Sequence, residues 1–414
     1  MIGLLRLRSF RAFMAANCLE RFAAAAMTVL LGFQVYALTH DPLDLGWLGL
    51  VEAIPGVTLV LYGGHVADRR SRRTIVVLTT ALLAALAAVL AVAAALPPGT
   101  RLFALFVIAF LAGIVRAFEG PAATGLEAQV VPLSQLIRGT AALAITGRLA
   151  DVFGPIAGGF AWTWLGAGGT YAAIAVLFAL ACAALLVGTG PIPLPPGAGA
   201  ADTETTWGRI AEGVRYVFRD QLLWGSMALD LFAVFFGGAN ALLPAFATDI
   251  LGVGAIGLGL LRAAAGAGSL ISALLTTRLL PERRAGEALL GVIAGFGVSM
   301  VVFGLSRSLP LSLLALFTAG ACDGMSMVIR RAIVRIASPE ALRGRIAAVR
   351  SVFVGSSNEL GAFESGLAAA LLGIGPAVWA GGLVTLAVVA ATALVAPRLR
   401  QLDLVAMTQD EAVT

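Results

Sequence analysis

The chain has 414 residues, 59% of them hydrophobic and 12% charged, and its mean hydropathy is +0.95. That is too apolar for an aqueous globule of this length, so a polytopic membrane protein is expected. The formal charge of +5 is carried by arginine alone, because the sequence has no lysine, and the arginines fall mainly between apolar spans, which argues against a nucleic-acid surface.

In chain order, Arg6, Arg8 and Arg11 precede the first apolar run. The run is long and has no small-residue cleavage site, so it reads as a retained first span rather than a secretory signal. Spans long enough to cross roughly 30 Å of hydrocarbon then recur. Their approximate limits are Phe13 to Leu38, Leu45 to Ala67, Thr74 to Leu96, Leu102 to Leu126, Thr140 to Trp164 and Thr170 to Val187. A second set runs from Leu222 to Ile250, Gly254 to Thr277, Ala288 to Leu305, Leu309 to Ile333, Ala347 to Gly373 and Ala377 to Ala396. Lipid offers no partner for open backbone groups, and runs this long and uniformly apolar do not suit barrel strands, so the expected fold is an all-α membrane protein with twelve transmembrane helices.

Between the sets, Pro191-Ile192-Pro193-Leu194-Pro195-Pro196 and the small polar stretch to Thr206 cannot continue a membrane helix. Trp207, Ile210, Val214, Val217 and Phe218 then recur at helical spacing opposite Arg209, Glu212, Arg215 and Arg219, which fits either a surface helix tethering two halves or an extension of the seventh span. The expected domains are 1–188, a linker with an amphipathic helix at 189–220, a second bundle at 221–396 and a tail at 397–414. Arginine is enriched in alternate links, including Asp68 to Arg73, Arg138, Arg278 with Arg283 and Arg284, Arg343 with Arg345, and Arg398 with Arg400. The positive-inside bias then places both termini in the cytoplasm. The expected location is the plasma (inner) membrane.

Charges inside the spans carry the mechanistic signal, because each costs roughly 2.5 to 3.5 kcal/mol on insertion scales unless compensated. Glu20 with Arg21, Arg116 with Glu119, and Arg148 with Asp151 are close enough in sequence to compensate each other. Glu52, Asp230, Asp323, Glu359 and Glu364 have no basic residue within one helical turn, so they must find a partner elsewhere or carry a proton. Asp230, Glu119, Arg116, Asp151 and Glu359 are the proton-coupling candidates. Glu20, Phe232, Phe236, Asn240 and Asn358 are candidates for a mixed apolar and polar cavity. Only two histidines are present, with no metal-binding cluster, nucleophile elbow or phosphate loop, so neither an enzyme nor a cofactor is expected. Cys18, Cys182 and Cys322 lack CxxC spacing and read as small hydrophobes.

The link Gly64-His65-Val66-Ala67-Asp68-Arg69-Arg70-Ser71-Arg72-Arg73 resembles the Gly-x-x-x-Asp-Arg-x-Gly-Arg-Arg signature of the major facilitator superfamily, with Ser71 where that family usually has glycine. Arg116 to Ala123 resembles its Arg-x-x-Gln-Gly pattern, with Glu119 replacing glutamine. Gly154-Pro155-Ile156-Ala157-Gly158-Gly159 is similar to the core of its antiporter signature, although Ala150 occupies an upstream glycine position. The stretch from Asp323 through Arg343-Gly344-Arg345 to Asn358 and Gly366 looks closest to the enterobactin exporter branch. The links at Asp68 to Arg73 and at Arg278 to Gly286 echo each other, as repeated bundles would. The resemblance implies two pseudo-symmetric six-helix bundles and a monomeric secondary transporter for a small molecule, working by alternating access. It further implies a proton-coupled exporter of a siderophore, with a multidrug efflux antiporter for amphiphilic compounds or a non-transporting membrane sensor as alternatives.

Gly64, Asp68, Arg69, Arg72 and Arg73 are the gating candidates that follow from the resemblance. Asp68 can meet the exposed N–H groups at the start of the eleventh span, or merely neutralise nearby arginines. Serine at 71 puts in doubt the left-handed turn that glycine permits, although it can still terminate a turn by local hydrogen bonding.

Overall fold

The computed structural model describes residues 6–190, 206–237, 239–279, 282–338 and 342–403, and among these all regular structure is helical. The helices are α1 (Arg8–Thr39), α2 (Pro42–Arg69), α3 (Arg72–Ala93), α4 (Pro98–Val130), α5 (Leu136–Gly188), α6 (Thr206–Arg219) and α7 (Gln221–Gly237). They continue with α8 (Leu243–Ala245), α9 (Gly254–Leu279), α10 (Ala285–Leu305), α11 (Leu309–Ala337), α12 (Arg343–Leu372), α13 (Ile374–Val395) and α14 (Pro397–Arg400). Among the described residues, ten helical segments are long and apolar enough to cross a membrane, and Leu360–Leu372 is a shorter apolar helix. The chain divides into two compact units, one of residues 1–201 with 252–263, the other of 202–251 with 264–414.

Two spans depart from expectation. The link expected at residues 166–169 contracts to one non-helical residue, Gly166 (φ 68°), inside the 53-residue α5. Glycine bears no penalty there, and the Thr170 hydroxyl donates to the Gly166 carbonyl at 2.7 Å. The seventh span, expected unbroken to Ile250, ends as α-helix at Gly237. It continues as a 3₁₀ turn over Ala239–Leu242, then α8 and a π turn over Phe246–Ile250. Gly237 and Pro244 account for this, since glycine weakens the helix and proline removes a donor.

In the first unit, α1 packs on α5 and α2 on α4 around a core that includes Leu30, Leu83, Ile108 and Phe178. The buried Tyr171 hydroxyl of α5 donates to Gln34 Oε1 of α1 at 2.8 Å, so a polar group inside the bundle is matched across helices. Backbones of α2 and α4 approach closely: a Cβ on Gly113 would collide with the Glu52 carbonyl, and one on Gly63 with the Ala117 carbonyl. At Gly64, by contrast, a Cβ would meet nothing within 4 Å, so Gly63 is the residue held small by packing.

The second unit is built on α10 against α11 and α13, with α7 against α12 and α13. Phe246 and Phe303 stack with centroids 4.2 Å apart in its core. The proline-rich stretch 191–205 lies outside the described residues. The amphipathic helix expected after it is α6, and Val217 buries against Leu223, Met227 and Ile346 of the second unit while Phe218 stays exposed. Asp220 ends α6 and caps α7, accepting from the Leu222 and Leu223 amides at 2.8 and 3.0 Å. Burial, followed by the Asp220 carboxylate, pushes the Tyr216 phenol up.

Ser71 has φ −60° and ψ 113°, so the position is extended and does not need glycine. Its side chain caps α3 by accepting from the Thr74 amide at 3.4 Å. Ser71→Ala is expected to cost about 1 kcal/mol and Ser71→Gly only a few tenths. Thermal melting of the two variants in detergent checks that order.

Candidate functional site

The gating candidates form a capping cluster in the first unit. Arg72 reaches Asp68 Oδ1 at 3.3 Å, one helical turn away, and also the Gly125 carbonyl of α4 at 3.2 Å and the Ala67 carbonyl at 3.4 Å. Arg73 donates to Thr189 Oγ1 and the Leu186 carbonyl, both at 2.9 Å, and Arg8 donates to the Val187 carbonyl at 3.1 Å. Two guanidiniums thus satisfy the last turn of α5, where open carbonyls and the negative end of the helix dipole favour cations. Asp68 and Arg69 are exposed, and the Asp68 side chain is 75% accessible. Its partner within the unit is therefore a neighbouring arginine.

Deeper in that unit, α1, α2, α4 and α5 bring together Glu20, Arg21, Glu52, Arg116, Glu119 and Asp151. The compensation expected along each helix remains for Glu20 with Arg21 and Glu119 with Arg116, and pairing across helices is added to it. Arg116 of α4 forms an ion pair with Glu52 of α2, and it donates to Thr28 Oγ1 of α1 at 3.0 Å. Arg21 of α1 reaches Asp151 of α5 at 3.4 Å, whereas Arg148, the neighbour expected to hold Asp151, is exposed. Gly147 makes this possible, because a Cβ there would press on the Arg21 side chain one turn from Asp151. Glu20 and Glu119 are half-buried and lie within electrostatic reach of each other and of both arginines. Arg262 of α9, in the same unit, also lies within electrostatic reach of Asp151, so four carboxylates stand among three guanidiniums.

The second unit holds a different constellation. Arg330 of α11 is 5% exposed and forms an ion pair with Asp230 of α7. Its other terminal nitrogen stands 3.8 Å from Asp323, two turns earlier on α11, and its Nε donates to the Ser326 carbonyl at 3.3 Å. Two small clefts meet at this pair. One is lined by Asp230, Arg330, Arg350, Ser226 and Ser357 together with Met227, Leu231 and Val334. The other is lined by Asp230, Asp323, Arg330, Ser326, Cys322 and Phe296, with Ala233 and Ile293.

Sequence reasoning singled out Asp230 but missed Arg330. The doublet Arg330-Arg331 falls near the end of a span, where it reads as one more topology signal. A usable signal was present: Asp323, Ser326 and Arg330 recur at helical spacing and share a face of α11. Glu52 was noted as lacking a local partner, and Arg116 now supplies it.

The cavity candidates stand apart from these clefts. Phe232 is 43% exposed and stacks on Phe236 at 6.4 Å, which meets Phe235 edge-on at 4.8 Å. Asn240 is exposed on the 3₁₀ turn and Asn358 on α12. Glu359 lies on α12, but its side chain, like those of Arg343 and Arg345, is outside what is described.

The chain is a multi-pass helical membrane protein with ion pairs across its spans. The family model for the Major Facilitator Superfamily matches residues 13–362, and the chain belongs to that superfamily, which comprises transporters rather than enzymes. Its curated relatives include the enterobactin exporter EntS of Shigella boydii serotype 4, 25% identical over 350 residues, covering 82% of this chain and 80% of that one. The EntS of Escherichia coli O81 is 24% identical over 346 residues, with the same coverage. Among solved structures, a POT family transporter in complex with a thioalcohol-conjugated peptide matches with TM-score 0.76 at 14% identity, covering 95% of this chain and 96% of that one. The nucleoside transporter NupG matches with TM-score 0.69 at 14% identity, covering 96% and 98%. These two likenesses show the fold.

Proposed function

We propose that this chain is a proton-coupled exporter of a small molecule of the siderophore class, working by alternating access. The observation that carries the coupling is the surplus of carboxylates in the first unit, where Glu20, Glu52, Glu119 and Asp151 face Arg21, Arg116 and Arg262. A proton taken up there neutralises a charge that the apolar surroundings penalise, and its release restores the charge when the site meets water again. The siderophore reading rests on the relatives named as enterobactin exporters.

In this reading the chain crosses the plasma (inner) membrane twelve times as a monomer with both termini cytoplasmic. Bundles at 1–188 and 221–396 are joined by the 189–220 linker, with a tail at 397–414. Two features support twelve crossings: Gly166 divides α5 into two lengths that each suit a bilayer, and α12 supplies a further 30-residue helix. Asp68 and its arginines act as a cytoplasmic latch that is broken and remade as access alternates. Phe232, Phe236, Asn240, Asn358 and Glu20 border the route of the substrate, and Glu359 adds a second-half carboxylate.

An amphiphilic drug is the second reading of the substrate. It is favoured by the Gly154-Pro155 and Gly158-Gly159 pairs of the antiporter-like segment, where Gly154 sits against the Phe22 carbonyl and Gly158 against Ala26 and Leu30. Uptake of a catecholate siderophore and of a lipophilic cation into inverted membrane vesicles separates the two. Siderophore uptake that collapses with the pH gradient supports the first reading, and cation uptake alone replaces it with the second.

A further inference from the structure

We propose that the cleft between α7, α11 and α12 of the second unit is a binding site for a carboxylate group, with Arg330 and Arg350 as its cationic walls and Asp230 as a built-in competitor. The cleft lining combines two guanidiniums with one carboxylate, together with Ser226 and Ser357. Arg330 is already matched by Asp230, with Asp323 behind it. The second guanidinium, on half-buried Arg350, lies in the field of Arg331 and adds its own positive field to Arg330.

Asp230 answers one of the two guanidiniums on this lining, and a second anion in the partly desolvated cleft would answer the other. A planar guanidinium fork fits a carboxylate through two parallel hydrogen bonds, which makes this anion a better match than a spherical ion. Met227, Leu231 and Val334 add apolar lining beside the charged groups, against which the carbon next to an acid group can pack. Asp230 holds Arg330 in place when the cleft is vacant, and an arriving carboxylate competes with it for the same donors. The inference rests on the carrier reading only for what the bound acid is used for.

Binding is therefore measured without transport. The purified full-length protein, in detergent without added lipid, is titrated calorimetrically with salicylate and with its neutral counterpart salicylamide. Salicylate is expected to bind and salicylamide not. Arg350→Gln is expected to weaken salicylate about tenfold and Arg350→Lys to restore most of the loss, since tenfold corresponds to about 1.4 kcal/mol. Asp230→Asn is expected to tighten salicylate about tenfold by freeing Arg330, the opposite direction from simple structural damage.

Equal binding of the two probes overturns the proposal, as does salicylate binding unmoved by Arg350→Gln. Weaker binding by an Asp230→Asn protein whose thermal melt is intact overturns it as well. If that variant does not fold, the Arg350 pair still decides. Gradient-driven transport with no salicylate binding removes this site and leaves the carrier reading, whereas salicylate binding by a protein that transports nothing does the reverse.

Discussion

Arg330→Ala is expected to destabilise the second unit by about 3–5 kcal/mol, because it leaves the Asp230 carboxylate buried without its partner and Asp323 without the nearby guanidinium. The pair stands on two helices, α7 and α11, so its loss loosens their contact as well as exposing charge to an apolar core. Removing both charges is a different case. Arg330→Met combined with Asp230→Leu is expected to recover most of the stability, because a buried ion pair and apolar residues of similar volume are often equivalent in folding energy. Transport is not expected to return in the double variant. Thermal melting in detergent and transport on the same preparations separate the two effects; a single Arg330→Ala variant as stable as the parent would show that the pair does not hold the unit together.

Glu119→Gln is expected to have the largest effect on coupling. The amide keeps the size and hydrogen-bonding capacity of the side chain but cannot exchange a proton, so gradient-driven accumulation falls to background. Counterflow of substrate down its own gradient persists, because it needs alternation of access but not protonation. Arg116→Gln is expected to differ, since it strands Glu52 and removes the donor to Thr28, and both folding and counterflow suffer. Comparable gradient-driven accumulation by Glu119→Gln and the parent would move the coupling proton to another carboxylate.

The helices were legible because lipid forces each span to satisfy its own backbone, so length and apolar composition nearly determine the element. The edges were less legible where one residue decides them. Gly166 turns an expected link into a kink, and Gly237 and Pro244 break the seventh span that composition alone runs on to Ile250. Ser71 was read as a weakness in the link before α3, yet it is the residue that caps that helix.

The site was half legible. That charges inside the spans matter followed from their cost in hydrocarbon, and Asp230, Glu119, Arg116 and Asp151 were singled out as candidates that way. Their partners were not, because pairing across helices depends on packing that no local spacing encodes. Sequence neighbours offered Glu119 to Arg116 and Arg148 to Asp151, whereas packing puts Arg116 on Glu52 and Arg21 on Asp151. Gly113 and Gly147 show why: small residues let helices or side chains approach where a Cβ would prevent it, and these approaches set which charges meet. Arg330 was lost in a doublet that looked like any other basic end of a span.

The central claim is that the first unit's surplus carboxylates couple substrate export to proton entry. It is tested most directly by siderophore uptake into inverted membrane vesicles under an imposed pH gradient, comparing the parent with Glu119→Gln. The parent is expected to accumulate substrate only while the gradient lasts, and Glu119→Gln to exchange substrate without accumulating it. Accumulation by the parent that is indifferent to dissipation of the gradient would contradict the account.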